Sequence, residues 1–377
     1  MRIAFLLLTT LLCISAQAAP PPPVATIDRS TWPEQLNSPA LFDVASRAEI
    51  LAFSRELLAS EDLDEAALSQ RLGLKQVNLV SINHLRQRLW QRLWQNFNLA
   101  QQSCEQDASF CYAIDDLPGL REQVGKFQVA ADSFYKRWAE PSRTFHERYL
   151  DELLRKAALF PQIPSEIERF SDLERNGDEL NDRLFLLTFD GGPGPVDGHT
   201  DALTQYLRRQ KLSAMFFVLG NSVQQRRDKT SLSDLQALYK GQCVGVQGWQ
   251  YRSHNQWRDW QDSVLRSVAQ VQGDLPDNFV PLFRPPYGQR RADSQAFFSS
   301  QQLQVALWDI DSQDGNGQLT AEQSGQRVLT LMLLWRRGVI AFHDAQPKAQ
   351  TAVPWLLQQT AQSGIGWEEC EDFAKSP

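Results

Sequence analysis

The sequence predicts two unlike halves, an all-α helical domain followed by an α/β domain with a parallel sheet, open or closed, and three observations support this. Apolar residues recur at helical spacing through the first half. From Arg183 the pattern changes to short apolar strands alternating with amphipathic helices, which means a parallel sheet. Four polar fragments follow strand-like runs in the second half: Leu187-Thr188-Phe189-Asp190, Arg284-Pro285-Pro286-Tyr287-Gly288, Asp311-Ser312-Gln313-Asp314 and His343-Asp344. Side chains just past the C-terminal ends of successive barrel strands converge in space, so their position argues for an enzyme-type cleft.

In chain order, Met1-Arg2, the apolar run Ile3 to Ile14 and Ala16-Gln17-Ala18 have the charge, core and small-residue pattern of a secretory signal over 1–18. The run is shorter than the ~20 residues of a membrane span, so cleavage after Ala18 leaves no transmembrane segment. Leu12 before Cys13 disfavours a lipoprotein site. A Pro-rich linker covers 19–37, and an α-helical domain is expected over 38–180. Asp62 with Glu65 reads as a capping box opening a helix that Gly73 ends. Leu79, Ile82, Leu85, Leu89, Leu93 and Phe97, widened by Trp90 and Trp94, form an apolar stripe. Core packing explains that stripe better than a carbohydrate platform does. Further helices are expected near Leu117 to Trp138 and Thr144 to Leu159, where His84 and His146 have no second ligand at useful spacing. Export to an oxidising compartment makes a Cys104–Cys111 disulfide the expected pairing. Cys243 and Cys370 stay open between a second pair and two buried thiols.

The α/β domain is expected over 183–377. Its strands are Leu184 to Phe189, Ala214 to Leu219, Cys243 to Gln247, Val280 to Phe283, Val305 to Trp308, Val339 to Phe342 and Ile365 to Trp367, with helices between them. A length of 377 residues suits two domains. A net charge of -7, from 38 basic against 45 acidic residues, lacks the basic excess that nucleic-acid binding requires.

In this order and spacing the four fragments resemble the NodB-type polysaccharide deacetylases of carbohydrate esterase family 4, which remove acetyl groups from N-acetylated sugar polymers. The resemblance spans about Arg183 to Phe373 and implies an irregular (β/α) barrel with a divalent metal such as zinc. By that likeness Asp190 is the general base, Arg284 pairs with it, the Tyr287 backbone is an oxyanion donor, His343 is the general acid and Asp311 orients that histidine. Asp314 is also kept, whereas Gly315 stands where the family usually has Trp. Trp249, Tyr251 and Trp308 are candidates for stacking on sugar rings in the substrate groove.

The resemblance breaks at the metal. Gly191 replaces the second aspartate of the first motif, and the two histidine positions hold Gln247 and Tyr251. Gly has no ligand atom, and an amide with a phenol binds a divalent cation poorly. Asp197, His199 and His254, in loops after the first and third strands, form a rescue set that could converge near the same mouth, against the alternative of loop histidines with no special role. The expectation is an exported, periplasmic or secreted, deacetylase-family protein. It either hydrolyses N-acetyl groups of an envelope glycan (peptidoglycan or exopolysaccharide) with altered or absent metal dependence, or binds glycan as a pseudoenzyme. A third reading makes it an envelope scaffold whose helical half binds a protein partner.

Overall fold

The computed structural model describes residues 22–375. The expected signal segment, Cys13 and linker residues 19–21 lie outside them. The first half forms α1 (Pro39–Ser60), α2 (Glu65–Leu72), α3 (Leu79–Ala100), α4 (Leu117–Lys126) and α5 (Lys136–Leu159). The local sequence explains their ends. Ser38 and Asn78 cap α1 and α3 by accepting from Leu41 N and Ser81 N. Gly73, at φ +63, closes α2 in the left-handed conformation. Asp64 caps α2 by accepting from Ala67 N, so the expected cap at Asp62 is displaced by two residues. The predicted 117–138 helix is two helices, because α4 ends at Lys126 and Trp138 belongs to α5.

The second half alternates as expected, through β1 (Glu174–Arg175), β2 (Leu184–Asp190), α6 (His199–Gln210), β3 (Met215–Val218), α7 (Gly220–Lys229), α8 (Leu232–Tyr239), β4 (Cys243–Val246) and α9 (Trp260–Asp274). It continues with β5 (Phe279–Phe283), α10 (Gln295–Ser300), β6 (Gln304–Ala306), β7 (Ile310–Asp311), α11 (Ala321–Trp335), β8 (Gly338–His343), α12 (Ala349–Thr360), β9 (Gly366–Trp367) and α13 (Cys370–Lys375). The strand order is β1-β6-β5-β4-β3-β2-β8-β7, with β9 also on β2, and every recorded pairing is parallel. The chain passes from β6 to β7 in a few residues, so the two ends of this path meet and the sheet curls into an irregular barrel. Between β1 and β8 the join is a side chain. Asp309 Oδ2 accepts from Gly177 N and from Val339 N, each at 2.8 Å.

Two expected boundaries move. The sheet begins at Glu174, inside the segment expected to be helical, and the two halves share one continuous apolar core rather than holding separate ones. Helix α11, buried along most of its length, is the reason. Ser46 Oγ donates to Leu333 O at 2.7 Å, and Asn96 Nδ2 donates to Leu334 O at 3.1 Å. Asp43 in α1 pairs with Arg183 and Arg336, each at 2.9 Å. The Trp-Leu stripe of α3 serves as core, with Leu89, Trp90, Leu93 and Phe97 all buried. Cys104–Cys111 and Cys243–Cys370 are both bonded. The second bond fastens α13 under the barrel. Among the described residues no helix is long and apolar enough to cross a membrane.

Candidate active site

Strand alternation builds the site. Side chains two apart share a face, and Leu186, Met215, Phe217, Leu282, Val339 and Ala341 fill the barrel interior. Continuing the same parity to the strand ends brings Asp190, Gln247, Arg284 and His343 to the top of that interior. Asp190 and His343 are direct register partners. The cleft above them is a cavity of about 530 Å³, lined by Asp190, Gly191, Tyr251, Tyr287, Asp311 and His343 with the amides Gln313, Asn316 and Gln346.

Arg284 lies wholly buried beneath Asp190. Its Nη1 donates to Asp190 Oδ1 at 2.9 Å and to Thr188 Oγ1 at 2.5 Å, and its remaining donors reach Ala306 O and Leu307 O. The guanidinium packs 4.0 Å from the Phe217 ring centroid. Gln247 Nε2 donates to the other carboxylate oxygen of Asp190 at 3.0 Å. Burial still pushes the Asp190 carboxyl above its ordinary range, outweighing the opposing pull of Arg284 and His343.

His343 is oriented by Asp314, not by Asp311 as the resemblance implied. The imidazole Nδ1–H donates to Asp314 Oδ1 at 2.7 Å, and the His343 amide donates to Oδ2 at 2.9 Å. Asp311 instead accepts from Gln313 N and Nε2, at 2.9 and 2.6 Å. That contact holds Gln313 at φ +55 and turns the chain so that Asp314 points back beneath the histidine. Burial works to lower the His343 pKa, but the hydrogen bond and charge of Asp314, helped by Asp190 and Asp311, lift it to about 9. A side chain at Gly315 would stand 3.7 Å from the imidazole, so glycine here leaves the ring open to the cleft. Asp344 is turned behind the cleft, where it accepts from Thr200 Oγ1 at 2.8 Å and burial pushes it up to about 7.

Tyr287 sits at φ 60, ψ 13 in a short 3-10 turn, with its ring exposed and edge-on to Tyr251 at 4.8 Å between centroids. Two of the three aromatic groove candidates are elsewhere. Trp308 is buried inside the barrel, 5.4 Å from the Arg284 guanidinium, because it follows the inward parity of Ala306. Trp249 packs against Gly220 of α7 and under Arg266, whose guanidinium lies 4.0 Å from its ring. Sequence reasoning missed Gln313, Asn316 and Gln346 as cleft residues. Loop amides carry no periodic signal that would have found them.

The residues at the family's metal positions do not fit a divalent cation. Gln247 spends its amide donor on Asp190, and its Oε1 is buried without a partner. The Tyr251 phenol is raised above its ordinary range by burial and by the nearby Asp190, so it stays protonated and neutral. Gly191, at φ +90, faces open space. The rescue set fails as well. His254 is buried against Ser263 Oγ at 3.0 Å and is pushed down to about 4 by burial. Among the described residues no three His, Cys, Asp or Glu side chains converge where an ion could sit.

Residues 177–306 match the polysaccharide deacetylase family. The chain is 29% identical over 177 residues to the peptidoglycan-N-acetylmuramic acid deacetylase PdaC of Bacillus subtilis, a match covering 45% of this chain and 34% of that protein. It is 29% identical over 170 residues to chitin deacetylase 1 of Saccharomyces cerevisiae, covering 42% of this chain and 50% of the relative. These matches span half or less of the relatives' own lengths. Among solved structures, a family 4 pseudoenzyme from Bacillus anthracis superposes with a TM-score of 0.46 at 15% identity, over 56% of this chain and 71% of the other. With the motif residues in order at the inward strand ends, residues 177–306 form a domain of the polysaccharide deacetylase family, as the resemblance to NodB-type enzymes implied, and the positions of that family's metal ligands hold Gly191, Gln247 and Tyr251.

Proposed function

We propose that this protein recognises N-acetylated chains of an envelope glycan in the barrel cleft and that metal-assisted deacetylation is lost. One arrangement supports the reading above all. Both oxygens of Asp190, the expected base, are engaged by Arg284 and Gln247, while the cleft keeps an exposed aromatic pair and the amide side chains of Gln313, Asn316 and Gln346 in its lining. A carboxylate held this way and only 4% exposed is poorly placed to take a proton from water. The binding groups are intact. A protonated His343 donates into the cleft, the Tyr287 N–H of the 3-10 turn is the amide left to meet an acetyl oxygen, since its neighbours are prolines or bonded within the turn, and the Tyr251 and Tyr287 rings offer faces for a pyranose.

Peptidoglycan or an exopolysaccharide of the periplasm or cell exterior is the proposed source of that glycan. The two disulfides support an oxidising compartment. The scaffold reading loses ground, because the helical half uses its apolar faces on α11. A hydrolase reading is favoured by one observation, the intact Asp314–His343 couple, which is able to protonate a leaving amine. Calorimetric titration with N-acetylglucosamine oligomers, run beside an acetate-release assay with chelator, added zinc and His343→Ala arms, separates the two. Saturable binding without acetate supports recognition. Acetate release that depends on His343 establishes a hydrolase instead, and absence of both binding and release refutes the proposal for this class of glycan.

A further inference from the structure

Resting on that glycan reading, we infer that the helical half builds a second sugar subsite, so that the cleft holds an extended stretch of polymer rather than one residue. A cavity of about 380 Å³ adjoins the cleft and shares Tyr287, Gln313 and Asn316 with it. Its far wall comes from the end of α5 and the following loop, including Leu159, Ile163 and Ser165, and from the extended segment at Pro22–Val24. None of these residues falls in the stretch matched to the deacetylase family, 177–306. A chain leaving the cleft past Tyr287 therefore enters a groove whose far wall lies outside the matched stretch.

The wall is rigid. Arg290, itself buried, donates from Nη1 to Ser165 O at 2.6 Å and to Gly288 O at 2.9 Å, and from Nη2 to Glu168 O at 2.5 Å. It is anchored by Glu174 of β1 through Nε at 2.8 Å. Gly288, at φ +67, lets the two loops touch, since a Cβ there would come within 2.6 Å of Glu166 N. Loop 165–168 is thus clamped to the loop that carries Tyr287, and the two cavities keep a fixed relation. A preformed groove avoids the ordering cost of binding a flexible polymer.

The lining chemistry selects a neutral sugar. The charged residues of its lining balance in sign, Glu152 and Glu166 against Arg155 and Lys156, with Lys156 paired to Glu166 and Glu152 to Arg327. What remains for a ligand is amides at Gln289 and Gln318, apolar surface at Ile163 and Pro164, and the exposed Tyr287 phenol shared with the cleft. Apolar surface and an aromatic ring flanked by neutral amides suit the face and hydroxyl groups of a pyranose. The occupant is the next N-acetylhexosamine unit of the chain held in the cleft.

Titration of the mature protein with N-acetylglucosamine oligomers from the disaccharide to the hexasaccharide tests this. Affinity is expected to rise about tenfold once the oligomer is long enough to enter both cavities, equivalent to ~1.4 kcal/mol. Ile163→Asp with Gln318→Ala, both exposed and outside the cleft lining, should abolish that rise while leaving disaccharide binding unchanged. Tyr251→Ala should weaken every length. Binding that is independent of length, or a rise that survives the double variant, overturns the second subsite alone. Absence of binding at any length overturns the glycan reading and the subsite with it.

Discussion

Asp314→Asn is the sharpest probe of the cleft's electrostatics. In the folded protein Asp314 accepts from both the ring and the amide of His343 and lifts the imidazole to about 9, against an ordinary value near ~6.5. The difference, at ~1.4 kcal/mol per unit, is worth about 3 kcal/mol, reduced somewhat because the side chain is 29% exposed. Its sign follows from linkage. A group whose pKa is raised on folding stabilises the fold fully below its unfolded pKa and loses that contribution as pH rises through the folded value. Wild type should therefore lose about 2–3 kcal/mol more than Asp314→Asn between pH ~6.5 and ~9, measured by urea unfolding at each pH. The direct readout is the imidazole nitrogen resonance of His343, which should titrate near 9 in wild type and fall to ~6.5 or below in the variant. A His343 that titrates near 9 without Asp314, or near 6.5 with it, refutes this account.

The other expectations concern the fold around the cleft and its metal positions. Cys243→Ala with Cys370→Ala should lower stability by about 5 kcal/mol in a chain-entropy picture, against about 2.5 for the Cys104–Cys111 pair, because the bridged separations are 127 and 7 residues; equal losses in chemical denaturation would contradict it. Gly288→Ala should push loop 165–168 off the Tyr287 loop and raise amide hydrogen exchange at Glu166, while exchange in α11 stays as it was. Added zinc should leave the wild-type melting temperature unmoved, and Gly191→Asp with Gln247→His and Tyr251→His should create zinc binding at a cost of about 1–2 kcal/mol for a non-glycine residue at φ +90; calorimetric zinc binding by wild type at the cleft would overturn the fit argument. Arg284→Met and Asp190→Leu should each cost about 3–5 kcal/mol, with the double variant recovering most of it, and a coupling below ~1 kcal/mol in the double-mutant cycle would show that the pair does not hold the barrel top together.

Much of the barrel was legible because its strands are short apolar runs whose parity marks the inward face. The same alternation that buries Leu186 and Val339 delivers Asp190 and His343. What escaped was non-local. Strand β1 is Glu174-Arg175, two charged residues whose burial depends on distant partners, Arg290 for Glu174, 116 positions away, and Gln304 with the Phe373 ring for Arg175. Helix α7 is polar along most of its length, with Val223 its one large apolar side chain in the core, so no periodic stripe marks it. Asp311 and Asp314 could not be ranked as partners of His343 from spacing alone, since the left-handed turn at Gln313 decides which of them points back. Trp249 and Trp308 lie close to strand ends, as groove residues would, but packing against Gly220 and Arg284 takes them out of the cleft.

The replacements at the metal positions are coupled through Asp190. A buried carboxylate needs donors on both oxygens, since an uncompensated charge in the interior is expensive. Arg284 supplies one side, and the only other side chain that donates to it among the described residues is Gln247, which stands where the family has a metal-binding histidine. A neutral histidine in a metal site offers its lone pair to the ion. A glutamine offers N–H and so takes up the carboxylate itself. With Gly191 contributing no second negative charge, one arginine and one amide satisfy the cluster without a cation. Gln247→Leu tests the balance: it removes the donor while keeping the volume, and if the amide serves Asp190, it should destabilise the fold by about 1–3 kcal/mol and raise the Asp190 pKa further. Substitution of the same kind in a site still waiting for a metal would leave stability unchanged in the metal-free protein. Compensation explains how Asp190 and Arg284 persist together in a cleft that lacks the family's metal ligands, and it makes their persistence compatible with the proposed binding.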